Sequence, residues 1–203
     1  KSSAVIDGNK ITGVSNKAKG IVAIDSDVVN KASMEFNSDD SIGIFSQNKS
    51  GSAKTIINSG NIDITGKRSI AAYLEGTSDQ IFENSGTINV DKTTTSVKND
   101  STVGIYAQGG SRINVKNSGT INVGESSFGI YSLSENGNVE TTGSSVINVA
   151  DKAIGVYKKG GAANIGGVIN VANHTATDAN SEPVGVYGSN GITITDTTSS
   201  FNV

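Results

Sequence analysis

The stretch Asn117–Ser132, NSGTINVGESSFGIYS, decides the fold, because weaker copies of it recur along nearly all of the 203 residues. It divides into an Asn-Ser-Gly turn running into Thr-Ile-Asn-Val, then a short link into a hydrophobic-Gly-hydrophobic-Tyr run. The first half returns at Asn58–Ile64 and Asn84–Val90, and in worn form at Gly143–Val149, Gly166–Val171 and Ser199–Val203. The second half returns at Ile42–Phe45, Ile70–Tyr73, Val103–Tyr106, Ile154–Tyr157 and Val184–Tyr187, with Ile21–Ile24 as a degenerate earlier copy. Seven passes result. Self-similarity at a period of a few tens of residues is the mark of a solenoid, in which each unit contacts only its neighbours.

The spacing of the marker position (residues 43, 71, 104, 129, 155 and 185) runs 28, 33, 25, 26 and 30. Such irregularity suits a coil whose corners accept insertions better than a duplicated globular unit. A third apolar segment lies between the half-motifs, at Lys54–Ile57, Gln80–Glu83, Arg112–Val115, Asn138–Val139 and Ala163–Ile165. The expectation is therefore an all-β parallel β-helix of about seven coils, each with three short strands. With coils one strand spacing apart, seven make a rod of roughly 30–35 Å.

Side chains alternate across a strand with a period of two. In Thr120–Val123, Ile121 and Val123 face inward and Asn122 outward. The same rule sends Val103 and Ile105 inward and leaves Gly104 and Tyr106 outside. Asn58, Asn84 and Asn117 recur where the chain turns, and Asn both tolerates the left-handed conformation and bonds nearby backbone, so an internal Asn ladder is expected. Phe45, Tyr73, Tyr106, Tyr131, Tyr157 and Tyr187 predict an outward aromatic ladder. Such a ladder stabilises the sheet by stacking and by covering bare glycine backbone, and is also a surface for sugar rings or a partner's Arg.

Composition narrows the classes of function. The formal net charge is -3 with 16 basic and 19 acidic residues interspersed, which supplies no footprint for nucleic acid or an anionic membrane. The absence of Cys excludes a disulfide framework and any thiolate metal site. No stretch approaches the about 20 apolar residues of a membrane-spanning helix, so no direct membrane insertion by this segment is expected. The chain opens at Lys1 in mid-pattern, without an initiating Met or a signal peptide, and reads as one β-helical segment (1–203) of something longer.

Candidate chemistry is sparse. Two insertions interrupt the link between the Ile-Asn-Val strand and the Gly-hydrophobic-Tyr strand, Asp91–Ser101 and Asn173–Pro183, where the shortest copy needs only Gly124–Ser127. Both leave from one corner and should project from one side of the rod, and binding residues concentrate on loops held by a rigid scaffold. Candidate binding residues are Asp91, Lys92, Lys98, Asp100, Asn173, His174, Asp178 and Glu182. Corners of solenoids also tolerate insertions without purpose. His174 is the only His, which leaves no transition-metal site, and no catalytic residue or cofactor is indicated. No G-x-S-x-G elbow occurs. Asp25 with Asp27, and Asp39 with Asp40, are candidate paired carboxylates or calcium ligands, and equally plain turn acids. Arg68 and Arg112 are the only arginines.

The NSGTINV and GIY repeats on a Cys-free, Gly-, Asn- and Thr-rich chain resemble the passenger region of type V autotransporter adhesins of the outer membrane, the long fusobacterial ones in particular. The resemblance covers Ile21–Val203. It implies a right-handed parallel β-helix displayed at a Gram-negative cell surface, followed in the whole protein by a membrane barrel. It also implies partners such as a host-cell glycan or protein receptor, or other bacteria, bound non-covalently by a monomeric segment. A polysaccharide lyase or hydrolase on the same fold, and an inert spacer, are the alternatives.

Overall fold

Ile and Val at alternate positions have one economical use here: each coil exposes an apolar inner face that only the coils above and below can cover. The computed structural model, which describes residues 3–91, 101–174, 182–195 and 200–202, is a three-sided parallel β-helix. The first sheet contains Ser3–Ile6, Asp27–Asn30, Lys54–Asn58, Gln80–Asn84, Ile113–Asn117, Val139–Thr141, Ala163–Ile165 and Ile192–Ile194. The second contains Ile11–Gly13, Met34–Phe36, Asn61–Ile64, Thr87–Val90, Thr120–Val123, Val146–Val149, Val168–Val171 and Ser200–Asn202. The third contains Lys19–Ile24, Ile42–Asn48, Ile70–Gly76, Val103–Gly109, Phe128–Ser132, Ile154–Lys158 and Val184–Gly188.

The chain visits the three sheets in that order, and every strand pairing among the described residues is parallel and joins a strand to its equivalent one coil away. Thr87–Val90 lies in register on Thr120–Val123, residue for residue. The solenoid of about seven turns expected from the repeats is therefore the fold. Two N-terminal strands, Ser3–Ile6 and Ile11–Gly13, extend the stack before the first recognisable repeat. Val5, in register with the outward Val29, stays 61% exposed.

One continuous aliphatic core fills the tube: Ile62, Ile88, Ile121, Ile147 and Ile169 stack at 1% exposure or less. Each contributes on the order of 1.5–3 kcal/mol on burial. The inner Asn ladder is also present and longer than expected. Asn30 Nδ2 donates to Asn58 Oδ1, Asn58 Nδ2 to Asn84 Oδ1, and Asn84 Nδ2 to Asn117 Oδ1, each at 2.8 Å. Asn117 Nδ2 then donates to Ser145 Oγ at 2.6 Å. The second N–H of each Asn bonds the carbonyl two residues on, at Ala32, Gly60, Gly86 and Gly119, bridging the corner into the second sheet. The ladder starts at Asn30, whose buried Oδ1 has no partner because Ile6 occupies the rung below.

Strict alternation fails in the third sheet. Val103 was expected inside, but it is half-buried on the outer side, while Gly104 and Ile105 are both buried in succession. The pairing passes from Val103↔Phe128 to Ile105↔Ile130 and skips the glycines between them. A Cβ on Gly104 would lie 2.5 Å from the carbonyl oxygen of Gly129 and 3.3 Å from Val90 Cγ2. The glycine thus slips the strand by one residue and lets the backbone of adjacent coils close up. Ile42, Ile70, Phe128 and Ile154 are turned outward by the same slip.

An unexpected charge also lies in the tube. Lys158 is 1% exposed and donates its Nζ to the carbonyls of Ser134 (2.6 Å) and Lys159 (2.9 Å). Burial pushes its ammonium down to about 8, against the opposing pull of the Glu135 carboxylate.

Candidate binding surface

The three outer faces differ in chemistry, and the corner between the second and third sheets sets two of them apart. In the short links of this corner one non-glycine residue per coil is left-handed: Lys17 (φ 63°), Asp40 (58°), Arg68 (54°), Ser126 (61°) and Lys152 (60°). The link shortens to four residues in the two middle coils, Gly124–Ser127 and Ala150–Ala153. Both insertions arise at this corner, one coil before that pair and one after it.

The outer face of the second sheet carries a second amide ladder. Asn170 Nδ2 donates to Asn148 Oδ1 (2.7 Å), Asn148 to Asn122 (2.7 Å), and Asn122 to Asn89 (2.6 Å). Asn89 Nδ2 ends the run on Asp63 Oδ1, while Asp63 Oδ2 accepts from Asn61 at 2.7 Å. A carboxylate only accepts, so Asp63 fixes the direction of every amide above it. Each amide polarises the next, and the chain is stronger than isolated pairs. Sequence reading turned Asn122 outward but did not connect it to its equivalents; the middle Asn of the aligned INV triplets was the signal.

Beside this ladder runs an open groove of about 630 Å³, from Asp63 past Asn122 and Asn148 to Ala172. Its far shoulder consists of small residues, Gly124, Ala150 and Ala172. The charged groups among its described lining are Asp63 and Asp91, both toward one end. Asp91 is exposed at the groove's edge, with its backbone N–H on the carbonyl of Ile64 (2.9 Å).

The other candidate residues divide. Asn173 is exposed and His174 half-buried, directly after Ala172; His174 Nδ1 lies 2.9 Å from Asp151 Oδ1 of the preceding coil. That pair fastens the start of the second insertion to the short link below it. Glu182 is exposed where the chain returns to the third sheet. Lys92, Lys98, Asp100 and Asp178 lie outside the described residues.

The paired acids are occupied structurally. Asp25 accepts the N–H of Lys49 (2.6 Å), Asp27 that of Thr55 (2.8 Å), and Asp39 that of Lys67 (3.0 Å), each one coil on. Asp40 receives a forked bond from Arg68, at 2.7 Å from Nε and 3.1 Å from the terminal nitrogen. The guanidinium holds the Asp40 carboxyl below its ordinary range. Among the described residues no three His, Cys, Asp or Glu come together as a metal would need.

The third sheet presents the aromatic ladder. Tyr73–Tyr106, Tyr131–Tyr157 and Tyr157–Tyr187 stack at centroid separations of 5.1, 4.7 and 5.0 Å, within 19° of parallel. Phe45 meets Tyr73 edge-on at 5.6 Å, and Tyr106 meets Tyr131 at 5.5 Å, tilted 38°. Rings stacked this way cover each other's faces and turn their edges outward, whereas a sugar platform needs an open face. Two of the hydroxyls are also engaged: Tyr73 donates to Glu75 (2.9 Å) and Tyr106 to Gln108 (2.8 Å), while Gln108 donates to the Tyr73 hydroxyl. Burial, with the bond to Glu75, raises the Tyr73 phenol far above its usual range. This geometry fits the stabilising role of the ladder.

Comparison with known protein families, characterised proteins and solved structures gives no match.

Proposed function

We propose that this chain is a segment of a bacterial surface adhesin, displayed outside the cell, that binds a surface ligand without making or breaking bonds. The observation that carries the reading is the corner between the second and third sheets. There a rigid stack holds an open groove of about 630 Å³, and two long insertions leave the same corner, one on either side of the two short-linked coils. A rigid frame lined with half-buried amides suits recognition, because its groups lose little rotamer freedom on contact. The resemblance of the NSGTINV and GIY repeats to autotransporter passengers supports the cell-surface setting. Within that reading the remaining coils act as a stalk.

The test is binding of the labelled, purified segment to host cells and to other bacteria. Wild type is compared with separate deletions of Asp91–Ser101 and Asn173–Pro183, folding being checked by circular dichroism. Saturable adhesion reduced by at least one deletion is the expected result. Adhesion to no cell type, or release of sugar products from polysaccharide by the pure segment, overturns the proposal.

A further inference from the structure

Resting on the adhesin reading, we infer that the outer amide ladder, centred on Asn122 and Asn148, is a binding groove for a linear, uncharged oligosaccharide.

The hydrogen-bonding inventory comes first. A side-chain amide has two N–H donors and an oxygen with two lone pairs. Asn122 uses one N–H toward Asn89 and one lone pair toward Asn148; Asn148 uses one of each toward Asn122 and Asn170. Each of these half-buried rungs keeps one donor and one acceptor for a partner from solvent. A hydroxyl group, which both donates and accepts, matches such a rung. Repeated rungs ask for repeated hydroxyls.

Charge and spacing narrow the choice. Toward the middle the groove is lined by Asn122, Asn148, Gly124 and Ala150, all uncharged. Asp63, at one end, has both carboxylate oxygens taken by Asn89 and Asn61. A polyanion, nucleic acid included, meets no cation among the described residues of this lining. The rungs are set by the parallel strands at about 4.8 Å, so Asp63 to Asn170 spans roughly 19 Å. An extended peptide advances about 3.3 Å per residue and falls out of step with that array. A chain of pyranose rings presents larger units and hydroxyls on both edges.

Preorganisation and access complete the argument. The ladder holds each amide in one orientation, anchored at Asp63, so binding costs little ordering of the protein. Gly124, Ala150 and Ala172 keep the opposite shoulder low, and the four-residue links of the two middle coils leave the approach to Asn122 and Asn148 open. Methyl groups of Ala150, Val171 and Ala172 in this lining offer contact for the C–H faces of sugar rings.

The experiment titrates the ¹⁵N-labelled chain with neutral tetra- to hexasaccharides, namely cello-, xylo-, malto- and chito-oligosaccharides, and follows side-chain amide resonances. The expected result is saturable displacement of the Asn122 and Asn148 amide signals by at least one of them. The double variant Asn122→Ala/Asn148→Ala, whose outward side chains leave the core intact, should keep its circular dichroism spectrum and bind at least tenfold more weakly. Displacements at 10 mM that are absent for every neutral sugar, or confined to the first or third sheet, overturn the inference. So does stronger displacement of these amides by an extended peptide or by hyaluronate oligosaccharides. Cell binding separates the two readings. A double variant that adheres as well as wild type overturns the groove and leaves the adhesin standing. Sugar-induced shifts in a chain that adheres to no cell uphold the groove and remove the adhesin.

Discussion

Replacing Asn84 by Ala should be among the most damaging single changes in this chain, although Asn84 touches no ligand site. The side chain is 1% exposed and sits mid-ladder. It donates to Asn117 Oδ1 (2.8 Å) and to the Gly86 carbonyl (3.2 Å), and accepts from Asn58 Nδ2 (2.8 Å). Alanine removes three hydrogen bonds, worth about 0.5–1.5 kcal/mol each in net terms. It also strands an N–H of Asn58 and the Oδ1 of Asn117, both on side chains with no exposure. A buried orphan costs about 1–3 kcal/mol. Since these two counts partly describe the same loss, the expected destabilisation is about 3–5 kcal/mol. Asn122→Ala removes two similar bonds from the outer ladder, where water replaces them, and should cost at most about 1 kcal/mol. Urea unfolding followed by circular dichroism measures both; a shift in midpoint at constant slope reports stability, whereas a fall in slope reports coils melting separately. A loss below 1 kcal/mol for Asn84→Ala, or one no larger than for Asn122→Ala, would refute the idea that the inner ladder is held by unreplaceable bonds.

Gly129→Ala places a Cβ 2.5 Å from the carbonyl oxygen of Gly155 and 2.9 Å from Val123 Cγ2, so adjacent coils must separate. A loss of about 1–3 kcal/mol is expected, read as a lowered thermal midpoint with unchanged ligand behaviour. Ser126→Gly should act oppositely: Ser126 has φ 61°, and relief of left-handed strain exceeds the added freedom of the unfolded glycine by about 0.5 kcal/mol; an unchanged or lowered urea midpoint contradicts this. Stability should also depend on alkaline pH in two phases. Lys158 titrates at about 8 when folded against an ordinary value of 10.5, so the unfolded chain binds more protons in that window and stability rises with pH through it. The Tyr73, Tyr106 and Tyr131 phenols are raised above 10.0, so above that pH the folded chain binds more protons and stability falls. A maximum between the two phases is expected, and Lys158→Met should abolish the rising limb; a flat profile from pH 8 to 10 in wild type contradicts the assignment.

The repeats alone were enough to identify the stack, the three strands per coil, the inward Ile and Val, and the Asn that lines the tube. These follow from alternation within a strand of four or five residues, which is local and written directly into TINV, VINV and NIDI. Asn30 was missed because its strand, Asp27–Asn30, lacks the Ser-Gly that marks the later copies, although it stacks on Asn58 all the same. Local alternation also misplaced Val103, since the slip at Gly104 comes from the close approach of Gly129 in the next coil, 25 residues away.

Contact between coils decided what the chain presents to solvent. A hydrogen bond from Asn148 to Asn122, a Tyr stacked on its equivalent, or a lysine enclosed beneath Gly188 depends on which residues share a rung and which way the backbone turns between them. Corner links of two to twelve residues separate those residues by varying lengths of chain. The inner face is thus determined by a rule each strand obeys by itself. The groove, the direction of its amides and the buried charge of Lys158 exist only once the strands lie on one another, because each is made by atoms from at least two coils.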